Sequence, residues 1–418
     1  MPPGGSASAP ARLAIALVHY AAPPVVGGVE RVLARQAVLM ADAGHEVRIV
    51  VGRGGAPDPR VRFVEIPLID PRHPTIASLQ RALDEGHVPP EFAEVVATIT
   101  AALDASLTGV DVVIAHNVCS INLNLALTAA LREVMDRPAS PRLILWHHDL
   151  AWARPRDLPT LHPGTPWDLL RTAWPGAVQV VVSEGRRAEL AAVAGIQPET
   201  IAVVPNGVDV ARMLKLERRT MELIARTDLF DAVPLLLMPS RITPRKNVEL
   251  ALRVVAEMRA AGRPAGLIVT GPVDPHRPSG LAYLEQLLAL RHALALDDYA
   301  WFMSEDPHGP PPDAVVHDLY HLADVLFMPS LDEGFGLPIL EAGINRLPIV
   351  CTGLPALREL AGDAALYIGA DDDPARISTR VLRLVDADRL GRLARDVRAK
   401  YAWEAVFREW IAPLLAAD

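Results

Sequence analysis

Short apolar runs and amphipathic stretches alternate along the whole chain. In the first half, Leu13–Val18, Val47–Val51, Arg62–Ile66, Val110–Ala115, Leu143–Trp146 and Val178–Val182 read as strands. Most are apolar at consecutive positions, which suits strands covered on both faces rather than strands with one wet side. Between them, Val29–Ala43 and Ile121–Met135 carry apolar residues at helical spacing. Strands alternating with helices predict parallel βαβ units. Asp209–Asp231 holds no strand and reads as a domain junction. The alternation then restarts, with strands at Leu235–Met238, Leu267–Thr270, Val325–Met328, Ile349–Cys351 and Ala365–Ile368. Helical patterns follow at Val248–Ala261, Leu281–Leu290 and Ala375–Val385, and Trp403–Leu415 reads as a terminal helix.

A length of 418 residues, half of them hydrophobic, suits two domains of about 200 residues, each with its own core. Residues 1–207 hold 17 Lys+Arg against 20 Asp+Glu, and the remainder 24 against 30. With neither half basic, nucleic acid is not expected as a partner. Two distant cysteines, Cys119 and Cys351, give no disulfide framework and fit a reducing cytoplasm. The short apolar run after an unbasic N-terminus is expected to be a strand rather than a signal peptide, and residues 1–10 are expected to be disordered. No transmembrane segment is expected, since no apolar run reaches about 18 residues. Peripheral membrane contact and the oligomeric state stay open. Ligands of open α/β sheets bind at the carboxyl ends of the strands, so the default site is a cleft between two such domains.

The most specific motif runs from Ser330 through Glu333, Gly334, Phe335, Gly336, Leu337 and Pro338 to Glu341. It follows a strand and opens a helix at Pro338, with Glu333 in the loop and Glu341 expected in the first helical turn. Glycines let backbone N–H groups approach a ligand closely, and a helix N-terminus favours anions. Carboxylates grip sugar or ribose hydroxyls. Arg241 and Lys246 follow the strand Leu235–Met238 and are expected exposed at the cleft edge, able to hold a diphosphate. Gly27-Gly28 precede the helix near Val29. His116 ends one strand, and His147-His148-Asp149 end another. Adjacent His147 and His148 point to opposite faces of extended chain, so they make no metal triplet.

The Glu333–Glu341 string resembles the glutamate–seven residues–glutamate motif of retaining glycosyltransferases of the GT-B fold, family 4. Val204-Pro205-Asn206-Gly207-Val208-Asp209 resembles that family's end-of-first-domain signature, and Ser240-Arg241-Ile242 through Lys246 its second-domain opening. The stretch Ala342–Pro348 departs from the Met-Ala-Cys-Gly-like sequence that most members carry there. The resemblance implies two Rossmann-like domains with parallel sheets facing across a cleft. Residues 1–207 would bind acceptor, 208–400 the nucleotide-sugar, and 401–418 would form a helix crossing back to the N-terminal domain. Arg241, Lys246, Glu333, His116 and His148 would be catalytic. Gly27, Gly28, Asn206, Gly334, Phe335, Gly336, Leu337 and Glu341 would bind donor. The donor would be GDP-mannose or UDP-glucose, with no further cofactor and no metal. The acceptor would be a sugar or other small hydroxyl-bearing molecule. The absence of lysine from residues 1–207 leans towards a soluble or loosely held lipid-linked one.

Two lookalikes are set aside. Gly52-Arg53-Gly54-Gly55 follows a strand, but Pro57 and Pro59 come next and no helix opens. Asp371-Asp372-Asp373 resembles a metal-binding Asp-x-Asp, yet it precedes Pro374 and a helical pattern and reads as a helix cap. Two other activities stay open: a nucleotide-sugar epimerase of the same fold, and a non-catalytic sugar-nucleotide sensor.

Overall fold

The computed structural model describes residues 12–273 and 279–417, so the expectation for residues 1–10 lies outside the described residues. The chain forms two compact units, Met1–Gly207 with Trp403–Asp418, and Val208–Ala402.

The first unit holds strands β1 (Ala14–Val18), β2 (Glu46–Val51), β3 (Arg62–Glu65), β4 (Val112–His116), β5 (Arg142–His147), β6 (Val178–Val181) and β7 (Ile201–Val203). All are parallel, in the order β3-β2-β1-β4-β5-β6-β7. β1 lies mid-sheet, with Ile15 beside Val47 on one side and Val112 on the other. The two-residue period of a strand divides its side chains between two cores. Ile15 and Leu17 join a cluster with Leu33, Met40, Trp403, Val406 and Leu415. Ala16 and Val18 join another with Ile99, Leu103, Leu127 and Leu131. The C-terminal segment 403–416, helical with a π turn at Phe407–Ile411, therefore helps cover this sheet. Gly207 is small for this reason: a Cβ there would lie 2.4 Å from the Trp403 ring.

The second unit holds β8 (Leu235–Met238), β9 (Gly266–Val269), β10 (Ala300–Phe302), β11 (Val325–Met328), β12 (Ile349–Thr352) and β13 (Ala365–Ile368). They form a parallel sheet of order β10-β9-β8-β11-β12-β13. On β11, Val325 and Phe327 face one core and Leu326 and Met328 the other. The junction Asp209–Asp231 holds no strand but two helices, Val210–Leu214 and Arg218–Arg226. β7 and β10 are edge strands of three residues, and the sequence pattern did not mark them because three residues are too few to show a period. Among the described residues no helix is long and apolar enough to cross a membrane.

A buried charge cluster fixes the amino end of this second sheet. Asp324 precedes β11 and accepts the Leu235 N–H of β8 at 2.7 Å. Arg398 pairs with the same carboxylate at 3.0 Å and also donates to the carbonyls of Leu322 and Ala232. Arg395 stands 4.0 Å from it. All three side chains are buried, so the cluster ties helix Arg389–Lys400 to β8 and β11. Removing one partner of a buried pair costs about 3–5 kcal/mol, because the other charge stays buried. Asp324→Ala should thus lower the melting temperature by roughly 10 °C, at about 2–4 °C per kcal/mol for a unit of this size. Calorimetry showing a shift within about 2 °C would remove this cluster from the account of stability.

Candidate active site

In the second unit the loops that leave β8 and β11 meet. Beyond β8 the chain passes closely over Gly271, where a Cβ would lie 2.2 Å from the Ser240 carbonyl oxygen. Buried Ile242 donates its N–H to Pro272 O at 3.1 Å and pins this loop. The adjacent Arg241 is exposed and has no hydrogen bond or ion pair among the described residues. The next turn, Pro244–Lys246, ends at Asn247 in the left-handed region, and helix Val248–Ala260 begins there.

Lys246 Nζ is ion-paired with Glu333, and both side chains are buried. The Ser330 hydroxyl donates to Glu333 Oε1 at 2.8 Å, and Arg245 Nη1 lies 3.6 Å from Oε2. Arg245 also donates to Asp332 O at 3.0 Å and accepts Leu331 N–H on its own carbonyl at 2.7 Å. Thr352, at the end of β12, donates to Ser330 O at 2.6 Å. Strand ends β8, β11 and β12 are thereby laced around one carboxylate. This corrects the expectation that Lys246 stands exposed beside Arg241. Its charge sits next to Glu333, which makes a buried position tolerable.

Gly336 has φ +99 and opens helix Leu337–Ile344, and a Cβ there would come within 2.5 Å of Leu357. Glu341 lies in the second turn of that helix, not the first, because the helix begins at Leu337. Its Oε2 accepts the Tyr320 hydroxyl at 2.5 Å. Gly334, Phe335 and Leu337 are exposed. Asp373 caps helix Pro374–Ala387 by accepting Ala375 N–H, and Asp372 accepts Gly369 N–H at 2.8 Å, so two of the three consecutive aspartates are engaged locally. No group of three or more His, Cys, Asp or Glu is placed to hold a metal among the described residues.

In the first unit, adjacent strands β1, β4 and β5 bring three histidines together. His116 Nδ1 lies 3.1 Å from His148 Nε2, and His19 Nδ1 lies 2.8 Å from the His116 carbonyl oxygen. Asn117 has φ +58 and accepts the N–H groups of His148 and Asp149, at 2.7 and 3.2 Å. Asp149 is held in turn by Arg154 at 3.1 Å and Arg186 at 3.5 Å. His116 is 0% exposed and stacks on Trp146, while His148 is 8% exposed. His147 points elsewhere and pairs with Gln179 at 2.8 Å. Gly27 caps helix Gly28–Asp42, and a Cβ on it would meet the Glu30 carboxylate at 2.0 Å, whereas Gly28 faces open space. Asn206 is exposed on the loop beyond β7.

The sequence reading did not single out His19, Tyr320, Arg245 or the hydroxyl of Ser330. His19 was legible, since it stands immediately beyond β1 as His148 stands beyond β5. Tyr320 was not, because its link to Glu341 joins two helices 21 positions apart.

Residues 26–212 match the model of glycosyltransferase family 4, and residues 233–387 that of the glycosyl transferases group 1. The chain belongs to this family of group 1, family 4 glycosyltransferases, and its two parallel sheets are the two Rossmann-like domains of the GT-B fold. It is 29% identical over 224 residues to D-inositol 3-phosphate glycosyltransferase 2 of Catenulispora acidiphila, across 52% of this chain and 51% of that protein. The chain thus spans about half the length of that curated relative. It is 26% identical to the MMP alpha-(1->4)-mannosyltransferase of Mycolicibacterium hassiacum, across 95% of this chain and 97% of that one.

Burial holds the imidazoles neutral. It lowers the pKa of His147 to about 4 and of His148 to about 3, and depresses His116 strongly. The unfolded chain takes up protons on these groups below pH about 6.5, and the folded one refuses them. Stability is therefore full above pH 6.5 and falls as the pH drops towards 4, by about 1.4 kcal/mol per pH unit for each such group. The urea midpoint of the wild type should fall between pH 7 and pH 5, and His147→Gln should lose part of that fall. Equal pH dependence in the two proteins would show that His147 titrates freely when folded.

Proposed function

We propose that this chain transfers a hexose, mannose or glucose, from a nucleoside diphosphate sugar to a hydroxyl of a small soluble or glycan acceptor, with retention of anomeric configuration. The observation that carries the reading is the pairing of Lys246 with Glu333 across the loops that leave β8 and β11, with the exposed Arg241 on the first of those loops. In this reading the second unit holds the donor and the first unit the acceptor. The exposed Arg241 guanidinium meets the diphosphate first, and it offers a planar fork of donors to phosphate oxygens. Lys246 adds a second positive charge. Together they stabilise negative charge on the departing nucleotide as the glycosidic bond to phosphate breaks.

Glu333 holds sugar hydroxyls whose geometry changes in the transition state. Glu341 holds the ribose, an interaction of equal strength before and during bond breaking. Gly334, Phe335, Gly336 and Leu337 bound the donor site between the two glutamates. His148, the more accessible of the paired imidazoles, contacts the transferred sugar, and His116 orients it. The acceptor proton leaves on the departing phosphate oxygen, so catalysis rests on positioning and charge stabilisation. GDP-mannose and UDP-glucose are the donors proposed, and the mannosyltransferase name of the full-length relative supports mannose.

A thermal-shift panel of UDP, GDP, ADP and their sugars tests this directly. One nucleotide should raise the melting temperature, since a ligand at a hundred times its Kd stabilises by about 2.7 kcal/mol. Incubation of the matching sugar with acceptors should then give an α-linked product by NMR. Arg241→Ala should lower turnover about a hundredfold, as for loss of one electrostatic donor, with little change in stability. Lys246→Ala should lower turnover as strongly and also destabilise, because Glu333 is left buried with its nearest charge partner gone. Binding of no nucleotide, or near-normal turnover of Arg241→Ala, would overturn the assignment.

Activity should also survive EDTA, because the two cations supply the charge a metal would otherwise bring, Asp373 caps a helix and Asp372 is engaged by the Gly369 N–H. Loss on chelation with recovery on adding Mg²⁺ or Mn²⁺ would reverse that assignment.

A further inference from the structure

Tyr320 lies on helix Asp313–Leu322 and is 2% exposed, among the apolar side chains of Leu237, Leu326, Met328 and Ile339. A buried phenol needs an acceptor for its proton, and nothing in that apolar cluster offers one. Its hydroxyl donates to Glu341 Oε2 at 2.5 Å, a short charge-assisted bond that crosses from one helix to the next. The other carboxylate oxygen, Oε1, has no partner among the described residues. The Glu341 main-chain carbonyl is engaged as well, by Asn345 Nδ2 at 2.8 Å, so this turn of the helix is anchored.

We propose that Tyr320 is a positioning residue for nucleotide binding, and that its phenol fixes one oxygen of Glu341 so that the other is aimed at a ribose hydroxyl. The inference rests on the reading that Glu341 holds the ribose. The terminal torsion of a glutamate is broad, so an untethered carboxylate samples many orientations. Tethering Oε2 removes that freedom before the ligand arrives, and affinity gained by such preorganisation costs nothing in new contacts. Burial, and then the neighbouring carboxylate, push the Tyr320 pKa up, so the phenol keeps its proton and remains the donor across the working pH range.

Tyr320→Phe keeps the ring and its packing and deletes only the hydroxyl. The experiment titrates GDP and UDP calorimetrically into wild type, Tyr320→Phe, Glu341→Gln and the double variant, using the nucleotide that the wild type binds. Its 2′-deoxy and 3′-deoxy forms follow, with circular dichroism to confirm folding. Tyr320→Phe should bind about tenfold more weakly. Glu341→Gln should lose at least as much, and the double variant should be no weaker than Glu341→Gln by more than about twofold. For at least one of the two hydroxyls, the wild type should discriminate against the deoxy form more strongly than Tyr320→Phe does. In turnover the loss should fall on the donor KM more than on kcat. Undiminished affinity in Tyr320→Phe, with Glu341→Gln weakened, would overturn the Tyr320 inference and leave the ribose reading standing. Normal affinity in Glu341→Gln would overturn the ribose reading itself. An equal tenfold loss on adding Tyr320→Phe to Glu341→Gln would mean that the phenol acts through packing, and would also overturn the inference.

Discussion

The buried pair between Lys246 and Glu333 is the constraint on which the chemistry of the second unit depends. Both side chains are largely withdrawn from water, and neither charge would be tolerable there alone. The pair therefore forces the loop after β8 and the loop after β11 into one arrangement. Ser330, Arg245 and Thr352 complete it by satisfying the remaining lone pairs and carbonyls. Such a network specifies geometry more than it adds stability, since a partly satisfied version would be worse than an apolar one. A carboxylate proposed to meet a sugar in one orientation is better held by several partners than by one.

The sheet behind it is fixed from its other edge. Asp324 binds the backbone of β8 and two arginines of helix Arg389–Lys400, so the amino ends of the central strands are clamped by charge and hydrogen bonds. The carboxyl ends are left to loops whose shape is set by close approaches, at Gly271 and at Gly336. This division is what parallel sheets allow: one edge is built for stability, and the other is available for ligands.

Much of this was legible in the sequence. Eleven strands announced themselves, most because a strand covered on both faces must be apolar along its length, the motif around Glu333 put that residue in the loop beyond one strand, and Arg241 and Lys246 were marked by following the strand Leu235–Met238. What was not legible came from partners distant in sequence. Lys246 reads as an exposed helix-start charge until Glu333, 87 positions later, is seen against it. Glu341 reads as a first-turn residue until the helix is seen to begin at Leu337. The edge strands β7 and β10 are too short to carry a period, and they are made strands by their neighbours. Gly207 reads as part of a motif, and only the Trp403 ring beside it shows that packing demands a glycine there.

The two units solve opposite electrostatic problems with the same sheet topology. The second gathers full charges, Lys246 and Arg245 beside Glu333, with Arg241 exposed on the same loop as the lysine. The first gathers imidazoles and then denies them charge: burial is the largest influence on His116 and His148, the neighbouring His148 and His19 lower His116 further, and His19 lowers His148 against the opposing pull of Asp149. A neutral imidazole offers one donor and one acceptor, which matches a sugar hydroxyl and does not compete for a phosphate. The stacking of His116 on Trp146 and its contact with His148 fix which nitrogen faces which neighbour, so the pair has a direction as well as a position. Protonating one ring would put an uncompensated charge in a dry site, which burial opposes, and protonating both would place two cations about 3 Å apart, which repulsion opposes as well. The paired imidazoles are therefore committed to neutral hydrogen bonding at neutral pH, and under the proposed function that commitment suits a sugar better than a nucleotide's anionic end.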